Sequence, residues 1–529
     1  GPASVRPWQS FTATVKVCNQ GTSPTHGYSS GAQVALFLSA SPSVPMPAPG
    51  QPPDLMPIAS VNLDQTLNPG QCVTKRVMTS AGLPPGSTGD GAYYLAAAVD
   101  TNHAEQELRE DNNVRVGGLM GLGHRSDLVV TQVKGPTSMR PGQSSLATVT
   151  VCNQGTYSTN SYYPKARLEL YLSMDTELTL PDPYSPSPGL PMDQRVIGEL
   201  ELDALYEGQC VTKDVSIYPW LPDAAQGDGA YYLAAAIDIN HAEQELREDN
   251  NVLVSGLVGV GHRADLVVTE VIAPPSARPS QGFMASVKVC NQGTASTGGY
   301  PYYGYPRVEL FLSTEAGLTL PDPYSPYPGL PMNAVSIGYV QLDQPLRAGQ
   351  CVTKNVPASA HPPPSAQLDR AYYLVAAADP AHEEQELRED NNVYVAGLMG
   401  LGHRPDLVVT ELSGPTSVRP GHGFMATAKV CNQGTSSAYG YSRLEFFLSM
   451  DTELTLPEPS MPYPGPVDDQ RSIGYMELYP SLQPGQCVTK YVPLFAEPPP
   501  AAQPDGAYYL AAAIDTNHAE QELREDNNV

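Results

Sequence analysis

Tryptophan, phenylalanine, positive charge and long apolar runs are all scarce in this chain. Its 529 residues include 2 Trp and 8 Phe, and 29 Lys and Arg face 55 Asp and Glu, for a formal charge of −26 and a pI of about 4.6. A surface of that sign repels polyanions, which excludes nucleic acid as a partner. No apolar run reaches membrane length, and no signal peptide or lipidation motif is present, so no membrane-spanning segment is expected in this window. Also missing are a Gly-x-Ser-x-Gly elbow, His-Glu-x-x-His, a phosphate-cradling glycine loop, Cys-x-x-Cys and an Asn-x-Ser/Thr sequon. Paired carboxylates of the kind glycosidases use do occur. They recur in every repeat without a cleft-forming insertion, so the chain is read as non-enzymatic.

What the chain does contain is repetition. The stretch Asp-Thr-Asn-His-Ala-Glu-Gln-Glu-Leu-Arg-Glu-Asp-Asn-Asn, from Asp100 to Asn113, returns nearly unchanged from Asp238, Asp379 and Asp515. The copies lie about 140 residues apart, the size of a folding domain and far beyond a solenoid repeat. At 41% hydrophobic residues, each of four units can bury its own core. The 54 Pro and 46 Gly are interleaved with alternating apolar segments, which favours a folded all-β chain over disorder. The expected repeats are residues 1–116 (lacking a first strand), 127–254, 265–395 and 406–529, joined by connectors at 117–126, 255–264 and 396–405. The connectors hold Leu, Met or Val between glycines, where a flexible tether would be polar. Those side chains are expected to tuck into the domain junctions and stiffen the array into an elongated, semi-rigid rod.

The second repeat shows the strand plan. Strands are expected over Leu128–Val133, Leu146–Cys152, Ala166–Ser173, Val196–Leu202, Cys210–Ile217, Ala230–Asp238 and Asn251–Val254, separated by Gly-Pro, Pro-Gly and Asn-Gln-Gly turns. Seven short strands without an amphipathic helix predict tandem immunoglobulin-like antiparallel β-sandwiches. In that topology the second and fifth strands are antiparallel neighbours. The eight cysteines then fall beside one another in pairs: Cys18–Cys72, Cys152–Cys210, Cys290–Cys351 and Cys431–Cys487. One disulfide per repeat places the chain outside the cytoplasm. The other reading of the cysteines is as buried thiols.

More than a third of the acidic residues sit in the four recurring hairpins. Oxygen ligands packed into one loop suit calcium. The candidate ligands are Asp100, Glu107, Asp111 and Asn112, then Asp238, Glu245, Asp249 and Asn250, then Asp379, Glu386, Asp390 and Asn391, and finally Asp515, Glu522, Asp526 and Asn527. The same residues also suit a purely structural role, in which Asp and Asn cap turns and the glutamates face water. His103, His241, His382 and His518 leave a transition metal as a third reading. A second acidic loop carries Asp175, Glu177 and Asp182, with Glu315 and Asp322 or Asp451, Glu453 and Glu458 at the matching places. The tyrosines Tyr162, Tyr163, Tyr302, Tyr303 and Tyr305 are expected in an exposed loop suited to sugar or protein contact, or to packing on a neighbouring domain. The Ser-, Thr- and Pro-rich loops leave O-linked sugars open.

A strand ending in Asn-Gln-Gly-Thr, a strand with Leu-Phe-Leu-Ser or Leu-Tyr-Leu-Ser, a Gly-Gln-Cys-Val-Thr turn and a closing Glu-x-x-x-Asp-Asn-Asn-Val resemble the CARDB domain, the cell-adhesion-related domain found in bacteria. The resemblance covers all four repeats. It implies an immunoglobulin-like sandwich in repeated, secreted or surface-anchored bacterial proteins. The paired cysteines and the Pro-rich insertion depart from the family pattern. The chain is therefore expected to be an extracellular or cell-surface structural array serving as a stalk, adhesin or filament building block. Its expected partner is itself, head to tail, or a surface protein or glycan. The alternative is a calcium-dependent array that binds carbohydrate or protein. The chain opens part-way through a repeat unit, which suggests a window of a longer array or a strand supplied by a neighbour.

Overall fold

The computed structural model describes residues 1–25, 31–44, 56–84, 87, 89–160, 164–180, 189–298, 305–321, 329–439, 441–456, 469–479, 481–502 and 506–529. The chain forms two compact units, residues 1–261 and 262–529. Each unit holds two of the sequence repeats, and each repeat has its own pair of sheets and its own apolar core.

In the second repeat, Leu128–Lys134, Ser145–Asn153 and Cys210–Ile217 form an antiparallel three-stranded sheet with Ser145–Asn153 in the middle. The opposing sheet runs in the order Gln194–Glu201, Arg167–Ser173, Gly229–Ala236, Val252–Val260 and Ser138–Met139. Its last pair is parallel. The chain leaves the first strand at Gly135-Pro136, where proline cannot continue a ladder, and crosses to the other sheet as the two-residue strand Ser138–Met139. Alternation does the rest. Ala147, Val149 and Val151 point inward from one sheet to meet Leu168, Leu170 and Leu172 from the other, all essentially buried. The third repeat repeats this plan in the second unit, with Leu266–Ile272, Gly282–Asn291 and Cys351–Ser359 against a five-stranded sheet. In the first repeat Ser10–Cys18 pairs with Cys72–Ser80, and in the fourth Gln470–Glu477, Arg443–Ser449 and Tyr509–Ala513 make up the second sheet.

The connector expectation changes. Gly117–Leu122 and Gly256–Val260, read as connector, are the second halves of the strands Val114–Leu122 and Val252–Val260. Within them Met120 and Leu122, like Val258 and Val260, enter the core of their own repeat. The flanks of the Pro-rich insertion also join the fold. Leu178, Leu180 and Leu190 pack with Tyr171, Ala234 and Ala236 on the outer face of the five-stranded sheet, adding a third layer.

The four disulfides pair as the spacing anticipated, each joining directly opposed residues of two neighbouring strands with Cα atoms 3.9 to 4.0 Å apart. They lie on the outward face of the smaller sheet, where the second cysteine of each pair is exposed, and in the last three repeats they clamp an edge strand to the central one and leave the core to aliphatic side chains. Replacing Cys152 and Cys210 together by Ala is expected to cost the second repeat about 2–4 kcal/mol. Denaturant unfolding, followed through a probe in that repeat, measures the loss.

Candidate functional site: the acidic hairpin

The hairpin begins where the strand Gly229–Ala236 runs out. Asp238 takes a left-handed conformation (φ 56), as does His241 (φ 46), and the same two positions do so in every repeat. Asp and His tolerate that region better than most side chains. The Asp238 carboxylate closes the turn: Oδ1 accepts the Ala242 N–H at 2.9 Å and Oδ2 the Glu243 N–H at 3.1 Å. Both oxygens are thereby committed to backbone, and the side chain is buried. Asp100, Asp379 and Asp515 bond in the same way.

The next part of the motif is a buried knot. Glu245, only 4% exposed, accepts the Leu128 N–H of the first strand on Oε1 and the Asn251 side-chain N–H on Oε2. Asn250 donates to Asp127 Oδ1 at 2.9 Å. Asp127, wholly buried, in turn donates its N–H to Asn153 Oδ1 at 3.1 Å. Asn153 is the Asn of Asn-Gln-Gly-Thr; it also accepts the Gly155 N–H and donates to the Tyr157 and Leu205 carbonyls. Four sequence motifs thus converge: the first strand, the Asn-Gln-Gly turn, the acidic hairpin and the closing Asn-Asn. The arrangement recurs with Glu386, Asp265, Asn391 and Asn392, and with Glu522, Asp406, Asn527 and Asn528.

Burial dominates the electrostatics. Desolvation pushes the Glu245 and Glu522 carboxyls up to about 9 and Glu386 well above its ordinary value, against the opposing pull of the Asn and backbone donors. Asp238 and Asp265 rise to about 6 for the same reason. Asp249 moves the other way, because Arg247 bonds it through two N–H groups at 3.0 Å.

The expected ligand set is therefore divided. Asp238 closes its own turn, Glu245 and Asn250 are drawn into the knot with Asp127 and Asn251, and Asp249 turns outward to Arg247, as Asp111, Asp390 and Asp526 turn to Arg109, Arg388 and Arg524. In the first repeat Glu107 meets Asn113 and Glu110, and Asn112 is exposed. Among the described residues no three His, Cys, Asp or Glu side chains are grouped to hold a metal ion. Three buried oxygens in each of the later repeats nevertheless have no protein partner: Asp127 Oδ2, Asn250 Oδ1 and Asn251 Oδ1, and their counterparts. His241 and His382 face Glu248 and Glu389. Asp127 and Asn153 were invisible as site residues in the sequence, although Asp-Leu-Val-Val-Thr and Asn-Gln-Gly recur as faithfully as the hairpin. In the second acidic loop Asp175 and Asp451 cap their own turns through the N–H of Glu177 and Glu453, and Glu315 donates its N–H to Ser313. Asp182, Asp322, Glu458, Tyr162, Tyr163, Tyr302 and Tyr303 lie outside the described residues. Tyr305, expected in an exposed loop, is half-buried against the core of the third repeat.

The hairpin also reaches the neighbouring repeat of its own unit. Leu246, 2% exposed, lies over Gly121, whose added Cβ would sit 2.9 Å from the leucine. Arg247 Nη1 donates to the Leu119 carbonyl at 3.2 Å. From the other side, Arg6 donates to the Thr156 carbonyl at 2.8 Å and Ser4 to that of Gln154. The second unit repeats the set with Leu523 over Gly400, Arg524 to Leu398, Arg278 to Thr435 and Ser276 to Gln433.

The knot gives a pH dependence. Glu245 titrates near 9 folded and near 4.5 unfolded, so the folded state holds the extra proton in between. Stability is complete below the unfolded value and falls as pH rises towards 9, by at most about 1.4 kcal/mol per pH unit for each such group. Calorimetric melting is expected to show a higher Tm at pH 5 than at pH 8. Glu245→Gln should flatten that slope for the second repeat, because a neutral amide accepts the Leu128 N–H and Asn251 can turn its unpaired oxygen towards it.

The CARDB family model matches residues 404–529. No curated protein matches the chain. Among solved structures, the solution structure of a CARDB domain from Pyrococcus furiosus is 20% identical, covering 26% of this chain and 97% of that one with a TM-score of 0.18. The crystal structure of the same domain in complex with di-metal ions is 20% identical, covering 26% and 89% with a TM-score of 0.17. A Salmonella alpha-2-macroglobulin mutant is 12% identical over 98% of this chain and 39% of its own, with a TM-score of 0.20. No activity or ligand of this chain follows from likeness at that level. With the match over residues 404–529, and the same Asn-Gln-Gly-Thr turn and Glu-Leu-Arg-Glu-Asp-Asn-Asn hairpin in the three repeats before it, the chain resembles a tandem array of CARDB domains.

Proposed function

We propose that the chain is a non-enzymatic, extracellular structural array, a stalk, adhesin or filament building block, whose repeats are docked on one another within each unit. The observation that carries this reading is the repeated junction. Leu246 over Gly121 with Arg247 on Leu119, and Leu523 over Gly400 with Arg524 on Leu398, are the same contacts made twice by the same motif. A plain tether has no use for an arginine aimed at a neighbour's carbonyl or for a glycine cleared beneath a leucine. The four disulfides support a place in an oxidising compartment. Each also closes a loop of 54 to 61 residues that cannot be drawn out under load. The proposed partner is another copy or another surface molecule.

The reading is tested in the full chain by Leu246→Ala with Arg247→Ala. Spin labels in the first and second repeats should give a narrow distance distribution in the parent and a clearly broader one in the variant, with the number of unfolding steps unchanged. An equally broad distribution in both would leave the first two repeats merely tethered and remove the support for a docked array.

A second reading, a calcium-dependent binding array, is favoured by the unpaired buried oxygens of Asp127, Asn250 and Asn251 and their counterparts, acceptors without a donor. Under it, millimolar calcium should raise Tm by several degrees over chelator, and Asp127→Asn with Asn250→Ala should abolish the second repeat's share. An unchanged Tm would leave those oxygens to buried water.

A further inference from the structure

Both tryptophans of the chain stand at one place in the fold. Trp8 lies ten residues before Cys18, and Trp220 lies ten residues after Cys210. Since the cysteines of each pair are directly opposed, the two positions face each other beyond the far end of the clamped strand pair. The pair there is Trp8 with Gly82 in the first repeat and Gly142 with Trp220 in the second. It is Ser280 with His361 in the third repeat and Gly421 with Glu497 in the fourth. The indole is supplied from one strand in the first repeat and from the other in the second, and the glycine changes sides with it. In each case the ring lies against that glycine: an added Cβ would sit 2.5 Å from the Trp8 ring at Gly82 and 2.8 Å from the Trp220 ring at Gly142.

The fold does not require the ring. The backbone closes in the same way in all four repeats, with Trp8 N–H to Ala81, Gly142 N–H to Pro219, Ser280 N–H to Ala360 and Gly421 N–H to Ala496. Nor is the ring there for burial, since Trp8 is 76% and Trp220 55% exposed, which forgoes most of what an indole gains on leaving water. Trp8 bears a further cost. Its φ is 66, in the left-handed region where the second and fourth repeats hold glycine at φ 71 and 72, and a bulky side chain is strained there. A ring that rests against a glycine and is more than half exposed is placed for a flat partner. Gln9 and Ser10, the latter opposite Ser80, follow Trp8 in the chain, Tyr218 precedes Trp220 by two residues and Gln143 follows Gly142, hydroxyl and amide groups suited to a hydroxylated ligand.

We propose that Trp8 and Trp220 are carbohydrate-stacking platforms, each offering its open indole face to the C–H face of a sugar ring in a neutral polysaccharide. A ring of that size presents an apolar face and a polar rim, which matches one indole bordered by hydroxyls and amides. The charge of −26 disfavours an acidic glycan. The inference goes beyond the structural-array reading and holds whether or not the repeats are docked.

These are the chain's two tryptophans, so indole emission reads the two platforms and nothing else. The full chain is titrated with cellohexaose, chitohexaose and mannohexaose while emission is followed, and run through native gels containing the matching polysaccharides. With at least one sugar, a saturable quench or shift is expected at millimolar concentration or below. Trp8→Gly and Trp220→Glu, which install residues found at those places in the fourth repeat, should each remove roughly half of the retardation in the gel, and the double variant all of it, with Tm and circular dichroism unchanged. Emission indifferent to all three sugars overturns the proposal, as does a double variant retarded like the parent. A shift produced by phosphatidylcholine vesicles and by none of the sugars also overturns it.

Discussion

Everything in a repeat hangs on a carboxyl group that has been taken out of water. Glu245 holds the N–H of Leu128 at the head of the first strand and the side chain of Asn251 at the head of the last one. The first strand is an edge strand, bonded on one side only, and edge strands fray unless something fixes their ends. An unpaired buried carboxylate would cost several kcal/mol. Burial favours the protonated form and so raises its pKa, while the two accepted hydrogen bonds pull that value back and fix the geometry. The same three roles recur at Glu386 and Glu522.

This constraint orders the rest of the repeat. Asp127 can be buried only because Asn250 and the Asn153 turn meet it, and Asn153 can lie beneath the first strand only because Gly155 offers no side chain: an added Cβ would sit 2.5 Å from the Arg125 carbonyl and the Asp127 nitrogen. The disulfide works at a different level. It joins strands already paired over their length, so it limits the unfolded chain more than it shapes the folded one. Sheet pairing, knot and disulfide all bear on the strand Ser145–Asn153, which lies at the centre of its sheet.

The sheets were legible in the sequence because their code is local. Leu146–Cys152 alternates apolar and hydroxyl residues, and Arg167–Ser173 shows the same period of two within a few residues of the expected ends. The cysteine pairing followed from the predicted adjacency of two such strands. The connectors misled because composition was weighed there without period: in Gly-Leu-Met-Gly-Leu the alternate residues Met120 and Leu122 face the core, as in any strand. The acidic hairpin misled for a deeper reason. Carboxylates crowded in sequence suggest a common ligand, whereas Asp238, Glu245 and Asp249 each found a separate donor, and for Glu245 that donor is the Leu128 N–H, 117 residues away in another motif. Nothing local marks a glutamate as buried and protonated.

The knot and the junction also share residues, which explains why the motif varies so little from repeat to repeat while the tyrosine loops and Pro-rich segments vary freely. Glu245 faces inward to its own first strand, and its neighbours Leu246 and Arg247 face the preceding repeat of the unit. A change that relaxes the hairpin therefore loosens two things at once, the closure of one sandwich and its seat on another. The Leu246 N–H bonded to the Ser126 carbonyl makes the coupling covalently short: one peptide separates the group that closes the fold from the side chain that fills the glycine-lined hollow. The second and fourth repeats meet both demands with one short motif, and the surface elsewhere, including the indole positions, is open to take on different occupants.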